Sequence, residues 1–440
     1  MFSNKSIVKL FWPILIEQIL VTMLGMANAV MVGQGVGNFA VSAVSLVDSL
    51  NSVVIFFFTA MAAGVSVVVS QNIGRKDLVT ARKSAQQGVL VLSILSVVSG
   101  VLIFAFGNDI LSALYGQAEA RVLAGASIYL VASTISYPFH TIFSTCGGVM
   151  RAVGDSKSPM KISLVMNVIN AGVGALLILV LDWGIMGAGV ALVSARVVAA
   201  SLSVWTLRHP GHKIDLMNFA FHLDGMIVKP LLRIGVPSGI DQMILNGSKV
   251  ITAKMVVSMG PVSLNANSIA TNVLTLLVLT GVAMMITSTT VVGQTYGSGD
   301  MPQTRKYMFK LMKWSMLVQA GLMIVVFPFL RPLIALYKPD QAVAEQTRFV
   351  LILIMIAIPI FWSASYQMAQ ALRSVGDVNY TTIISIASMW LIRVGGTWLL
   401  GLYFGLGIYG VWIMMIVDWV IRTAFFVPRA LSSAWYAKTI

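Results

Sequence analysis

The chain has 440 residues, of which 58% are hydrophobic and only 10% charged, with a mean hydropathy of +0.89. Too few polar positions remain to clothe a soluble globule, so the composition is that of an integral membrane protein. The single cysteine, Cys146, excludes an intrachain disulfide framework and any four-cysteine zinc or iron-sulfur site.

A hydrocarbon core of about 30 Å takes roughly 20 apolar residues per helical crossing. MFSNKS runs straight into an apolar stretch without a small-residue cleavage site, so residues 7 to 33 are expected to be a first span and not a removable leader. Eleven more spans are expected at 44 to 70, 87 to 107, 122 to 149, 162 to 181, 186 to 207, 230 to 257, 265 to 293, 308 to 330, 347 to 371, 379 to 401 and 406 to 428. Alternate turns carry the positive charge: Arg75, Lys76, Arg82 and Lys83, then Arg151, Lys157 and Lys161, then Arg208, Lys213 and Lys229, then Arg305, Lys306, Lys310 and Lys313, then Arg373. The opposite turns are nearly bare or balanced. The basic loops and both termini are therefore expected in the cytoplasm, and the net charge of +14 needs no nucleic-acid partner.

The chain also repeats itself. LFWPILIEQILVTML (10 to 24) returns as IGVPSGIDQMILNGS (234 to 248), so that Pro13, Glu17 and Gln18 recur as Pro237, Asp241 and Gln242. SQNIGRKDLVTARKS returns as GQTYGSGDMPQTRKY, MRAVGD as LRSVGD, and GIMGAGV as GLGIYGV, at a spacing that drifts only from 224 to 221. Six spans per copy give both copies the same orientation, a parallel repeat of the kind that secondary transporters use. The expected organisation is a first six-helix lobe at 1 to 207, a cytoplasmic linker at 208 to 228 lying on the inner leaflet, and a second lobe at 229 to 440.

A charge at the centre of a membrane helix costs roughly 2.5 to 3.5 kcal/mol on insertion scales, so each one asks for a reason. Counting from the expected span ends at ~1.5 Å per residue places Glu17 and Asp241 ~15 Å deep, Arg196 and Asp418 ~15 to 18 Å, and Arg393 ~21 Å. Glu17 and Asp241 each follow a proline by one turn. Pro13 and Pro237 remove a backbone hydrogen bond there and are candidate hinges, and the acids beside them are read as ion-coupling groups in preference to ties between helices. Asn28 lies on the same face as Glu17, three turns on. Arg196 has the depth to neutralise Glu17, and Arg393, Asp418 and Arg422 are expected to form a paired network across the last two helices. Asp48 and Asn51 either cap the start of the second span or line a cavity. Asn167 and Asn170 face a cleft or bond a neighbouring helix, Gln18 and Gln242 join the candidate cleft residues, and His140 reads as a satisfied interior histidine. Some of the 26 methionines suit a pocket that accepts varied apolar ligands.

GxxxxGK[ST], HExxH and paired-cysteine motifs are absent from the sequence, so neither a nucleotide nor a metal cofactor is expected, a sodium ion near Glu17 being the one metal considered. No catalytic constellation argues for an enzyme.

On these residues, from WPILIEQILVTMLGMANAVMVG through VSLVDS and VSQNIGRKD to ALRSVGD, MWLIRVG and GVWIMMIVDWVIR, the chain resembles the MATE family of multidrug and toxic compound extrusion antiporters. The resemblance implies an all-α membrane protein, two six-helix bundles around a V-shaped cleft, exporting organic compounds against inward sodium or proton flow. It implies a monomer in the bacterial inner membrane whose partners are small organic substrates, sodium or protons, and lipid. Asn28 stands where many members carry an aspartate, and Ala171 where some carry a second one. A flippase for a lipid-linked saccharide is the alternative. The mixture of deep acids and arginines favours cationic or neutral cargo over such an anion.

The loop assignment has a direct check. Cysteines placed at residues 80 and 305 are expected to react only with reagents admitted to the cytoplasmic side; labelling of either from outside would overturn both the orientation and the parallel repeat.

Overall fold

The computed structural model describes residues 2–209, 213, 214, 216 and 223–436. Among them the regular structure is helical throughout. In chain order the long helices are α1 (Asn4–Gly35), α2 (Asn38–Gly74), α3 (Leu78–Tyr115), α4 (Ala120–Ala152), α5 (Lys157–Val180), α6 (Gly184–Arg208), α7 (Gly225–Ser258), α8 (Pro261–Leu277 and Leu279–Gly297, bent by 43°), α9 (Met301–Ala335), α10 (Gln341–Ser374), α11 (Val378–Tyr403) and α12 (Ile408–Leu431). Ten of these are individually long and apolar enough to cross a membrane, and α8 joins them when its two halves count as one span. α7 is the exception because Lys229, Arg233, Asp241, Lys249 and Lys254 punctuate its 34 residues. Of the linker expected at 208 to 228, residues 210–212, 215 and 217–222 lie outside the described residues, and 225–228 already belong to α7.

The chain divides into two compact units, Phe2–Gly239 and Ile240 onward, with the division inside α7. In the first unit α2 and α3 pack on α4, α4 on α6, α6 on α5, α5 on α1 and α2 on α3. In the second, five of these six pairings recur: α8 and α9 on α10, α10 on α12, α12 on α11, and α8 on α9. Lipid offers no hydrophobic incentive for helices to associate, so close approach at small residues has to do it. On α2 and α4, Ser66 Oγ donates to Gly148 O at 2.9 Å, and a Cβ on Gly148 would sit 3.3 Å from Ser66 Cβ. Gly410 of α12 comes so near Gly401 of α11 that a Cβ would lie 2.7 Å from its backbone nitrogen. The apolar interior of the first unit includes Val32, Val47, Tyr129 and Ile178; that of the second includes Leu351, Trp362, Trp412 and Trp419.

The turns repeat as faithfully as the helices. Gly154 (φ +92°) and Gly376 (φ +89°) end α4 and α10 in the left-handed conformation that a side chain disfavours, which is why RAVGD and RSVGD share their glycine. α3 and α9 start on equivalent aspartates: Asp77 accepts the Thr80 N–H and Asp300 the Gln303 N–H, both at 2.9 Å.

Several features depart from sequence expectation. α2 starts at Asn38, immediately after the Gly37 turn, and not near residue 44; Asp48 therefore lies ten residues inside the helix and caps nothing. α1 and α7 continue as helices through Pro13 and Pro237. The helical irregularities lie elsewhere, in the break within α8, a 3-10 turn at Phe327–Phe329 in α9, and π-wound segments at Ala175–Val180, Ile358–Trp362, Met389–Val394 and Thr397–Tyr403.

The caps are testable. The Thr80 hydrogen bond holds the Asp77 carboxyl below the usual carboxylate range. A depressed pKa means the contribution is present above the unfolded-state value and is lost as pH falls through the folded-state value. Asp77→Ala and Asp300→Ala are each expected to cost about 1 kcal/mol in thermal unfolding of the detergent-solubilised chain, and Asp77→Asn much less. Equal losses for Ala and Asn would place the effect somewhere other than the cap.

Candidate functional site

The repeated acids meet repeated arginines. In the first unit Arg151 Nη1 lies 2.8 and 3.0 Å from the two oxygens of Glu17; in the second Arg373 Nη2 lies 2.7 Å from Asp241 Oδ2. Glu17 and Asp241 are both 4% exposed, so each pair is shielded from bulk water. Arg151 and Arg373 come from the last turns of α4 and α10, inside the motifs MRAVGD and LRSVGD. Sequence counting assigns both arginines to cytoplasmic loops, whereas their side chains turn inward. The depth argument needs correcting for the same reason. Ser156 Oγ bonds Lys9 O at 3.3 Å, so the α4–α5 turn lies level with Lys9, and the first turns of α1 reach beyond it. Glu17 is only two turns above that level, within reach of an arginine at the helix end.

Arg196 is consequently not the partner of Glu17. It lies instead among residues of α2 and α4, where Arg196 Nη1 donates to Ser136 Oγ at 2.6 Å. Asn51 Nδ2 donates to Ser133 Oγ at 2.9 Å and more weakly to Asp48 Oδ1 at 3.4 Å, and Tyr137 Oη donates to Asn51 Oδ1 at 2.6 Å. Asn51 is thus a tie between α2 and α4, and Asp48 is the exposed end of the same cluster. His140 is half-buried, with Nε2 3.4 Å from Thr59 Oγ1.

Asn28 and Asn170 come together: Asn170 Nδ2 donates to Asn28 Oδ1 at 2.6 Å, joining α5 to α1. Asn167 does not take part and bonds Ser163 O on its own helix. Gln18 and Gln242 are half-buried, and their carbonyls accept from Thr22 and Asn246 respectively.

The expected network in the last two helices is differently wired. Asp418, fully buried, accepts from Arg422 Nε at 2.9 Å one turn along α12 and from Ser388 Oγ on α11. Arg422 also reaches Ser385 O. Arg393 is excluded; its Nη2 lies 3.0 Å from Met415 Sδ. The π winding of Met389–Val394 sets Arg393 off the register that α-helical counting assumes.

The arrangement chemically amounts to two equivalent, shielded carboxylate–guanidinium pairs, a third such pair within α12, one amide pair and one polar cluster with an exposed carboxylate end. Arg151 already occupies both oxygens of Glu17, which opposes a sodium ion at that carboxylate. No group of three or more potential metal-ligating side chains occurs among the described residues. Breaking one member of a buried pair strands the other charge. Arg151→Gln or Glu17→Gln alone is therefore expected to destabilise the chain by ~3 kcal/mol or more, and the double variant by less than either. A double variant as unstable as the worse single one in thermal unfolding would deny the pairing.

Comparison with known proteins gives a consistent answer. The MatE family profile matches residues 13–176 and 237–399, one stretch in each unit. An uncharacterised transporter, YisQ of Bacillus subtilis (strain 168), is 25% identical over 439 residues, covering 98% of this chain and 95% of that protein. A probable multidrug resistance protein NorM of Thermotoga maritima is 24% identical, covering 99% and 94%. The structure of a multidrug resistance MATE family transporter of the MOP superfamily in an outward-facing conformation superposes with a TM-score of 0.89 at 20% identity, covering 99% and 97%. With the duplicated helix pairing, the duplicated acid–arginine pairs and a profile match in both halves, the chain belongs to the MatE family of multi-pass membrane transporters.

Proposed function

We propose that the chain is a secondary active exporter of drug-like organic compounds in the bacterial cytoplasmic membrane, with both termini inside and an inward proton or sodium gradient as its energy source. The observation that carries the reading is the pair of equivalent, membrane-buried acid–arginine contacts, Glu17–Arg151 and Asp241–Arg373, in a chain with no phosphate-binding loop. The relatives named as probable multidrug resistance proteins, among them NorM of Thermotoga maritima and YoeA of Bacillus subtilis, support the choice of organic compounds as cargo.

A driving cation shifts a conformational equilibrium only if it binds two states unequally. A carboxylate clamped by arginine in one state and released in another supplies that difference: a proton on Glu17 or Asp241 removes the charge that holds Arg151 or Arg373. Both units carry the device, and it needs no acid at Asn28, which is engaged with Asn170.

The test neutralises each pair as a pair, so that no stranded charge confuses the result. A chain with Glu17→Gln, Arg151→Gln, Asp241→Asn and Arg373→Gln is expected to bind a dye that the wild-type chain accumulates, yet to lose accumulation driven by separately imposed pH and sodium gradients in proteoliposomes. Uptake at the wild-type rate under either gradient would refute coupling through these pairs.

A further inference from the structure

The membrane charges of the second unit do not balance. Six acids occur from residue 240 onward: Asp241, Asp300, Asp340, Glu345, Asp377 and Asp418. Asp241, Asp377 and Asp418 are bridged to Arg373, Arg429 and Arg422 at 2.7, 2.6 and 2.9 Å. Asp300 caps α9, Asp340 precedes α10, and Glu345 sits in the opening turns of α10 against Gln341, all at helix ends. None is left for Lys249 on α7 or Arg393 on α11, and neither makes an ion pair among the described residues. Lys249 Nζ reaches Asn246 Oδ1 at 3.3 Å, and Arg393 has the Met415 sulfur as its partner.

The two cations sit on neighbouring helices. Beyond them the helices touch, since a Cβ on Gly401 of α11 would meet Met259 Cε, just past the end of α7, at 2.7 Å. Lys249 precedes the end of α7 by roughly 14 Å of α-helix, about half the thickness of a hydrocarbon core, and Arg393 precedes the end of α11 by a similar number of residues whose π winding makes the rise shorter. At the repeat-equivalent positions of α1 and α5 the first unit carries Gly25 and Ala171, beside the neutral Asn28–Asn170 pair. Duplication therefore explains neither cation.

Like charges without a counter-ion at this depth are costly, and among the described residues of the unit no carboxylate answers them; Lys249 is exposed and Arg393 half-buried, so both are open to a ligand. We propose that Lys249 and Arg393 form a subsite for the anionic group, a carboxylate, of the organic compound the chain exports. The lysine supplies a mobile point charge, and the guanidinium a fork that fits a carboxylate with two hydrogen bonds. The balance of deep charges read from the sequence favours cations or neutral compounds; with Asp241 and Asp418 neutralised by their arginines, the charge left for a ligand in this unit is positive. The proposal rests on the export reading for its cargo, but not for its binding chemistry.

Two probes with the same ring and opposite charge, naphthoate and naphthylmethylammonium, separate the possibilities in equilibrium titrations of the full-length chain in detergent. Wild type is expected to prefer naphthoate. Lys249→Gln with Arg393→Gln should weaken naphthoate at least about tenfold, leave the ammonium unchanged or tighter, and not lower the melting temperature, since the charges removed have no partner to strand. The charge-keeping variant, Lys249→Arg with Arg393→Lys, should hold naphthoate within about threefold. The subsite is overturned if wild type prefers the ammonium, if the Gln variant binds naphthoate as well as wild type, or if it loses both probes alike. A chain that binds naphthoate through the pair but accumulates nothing in proteoliposomes would instead defeat the export reading and uphold the anion site.

Discussion

An ionised side chain inside a bilayer is tolerable only when something answers its charge, and in this chain the commonest answer is arginine against carboxylate. Glu17–Arg151, Asp241–Arg373 and Asp418–Arg422 each join a nearly buried acid to a nearly buried base. The first two also join helices far apart in sequence, α1 to α4 and α7 to α10, and so fix how the first helix of each unit lies against the helix that the others pack on. The surrounding contacts are small-residue approaches and single hydroxyl bonds, whose individual worth in lipid is modest. The ionic ties are thus the local contacts whose loss a unit tolerates least.

The pairs also change what the acids mean. Glu17 and Asp241 in isolation read as sites for a cation; with their arginines in place they are closed, and a cation gains access only by competing. That condition makes them suited to a switch, because opening and closing a pair is a two-state event with a defined charge change. Where the fold leaves charge unanswered, at Lys249 and Arg393, the chemistry has the opposite sign.

Much of the architecture was legible in the sequence because the repeat shows itself in short motifs at a steady spacing, and because apolar runs of membrane length have few alternative readings. The acids of the site were legible for the same reason. Their partners were not. Arg151 and Arg373 stood in repeated motifs, which was a signal, but lay at helix ends where charge counting assigns arginines to loops; a long side chain can turn either way from such a place. Lys249 stands as a charge within an expected span, but no repeated motif marks it. Arg393 was misplaced because depth counting presumes α-helical winding, which Met389–Val394 does not have. Helix periodicity carries no mark of a π turn, and the boundary of α2 was missed because the turn at Gly37 is too tight to leave a loop-like stretch.

The π turns themselves hold a record of descent. Ala175–Val180 ends α5 and Thr397–Tyr403 ends α11, at matching places in the two copies, whereas Met389–Val394 has no π-wound counterpart in α5. A π turn is a rare winding, found mostly as a single turn inside an otherwise α-helical segment. Possession of the same irregularity by both halves, despite their divergence elsewhere, is what descent from one half-length ancestor would leave. The Met389 turn, like the one at Ile358–Trp362, has no π-wound counterpart in the first copy, so the two copies differ in winding on α10 and on α11, the helix that carries Arg393.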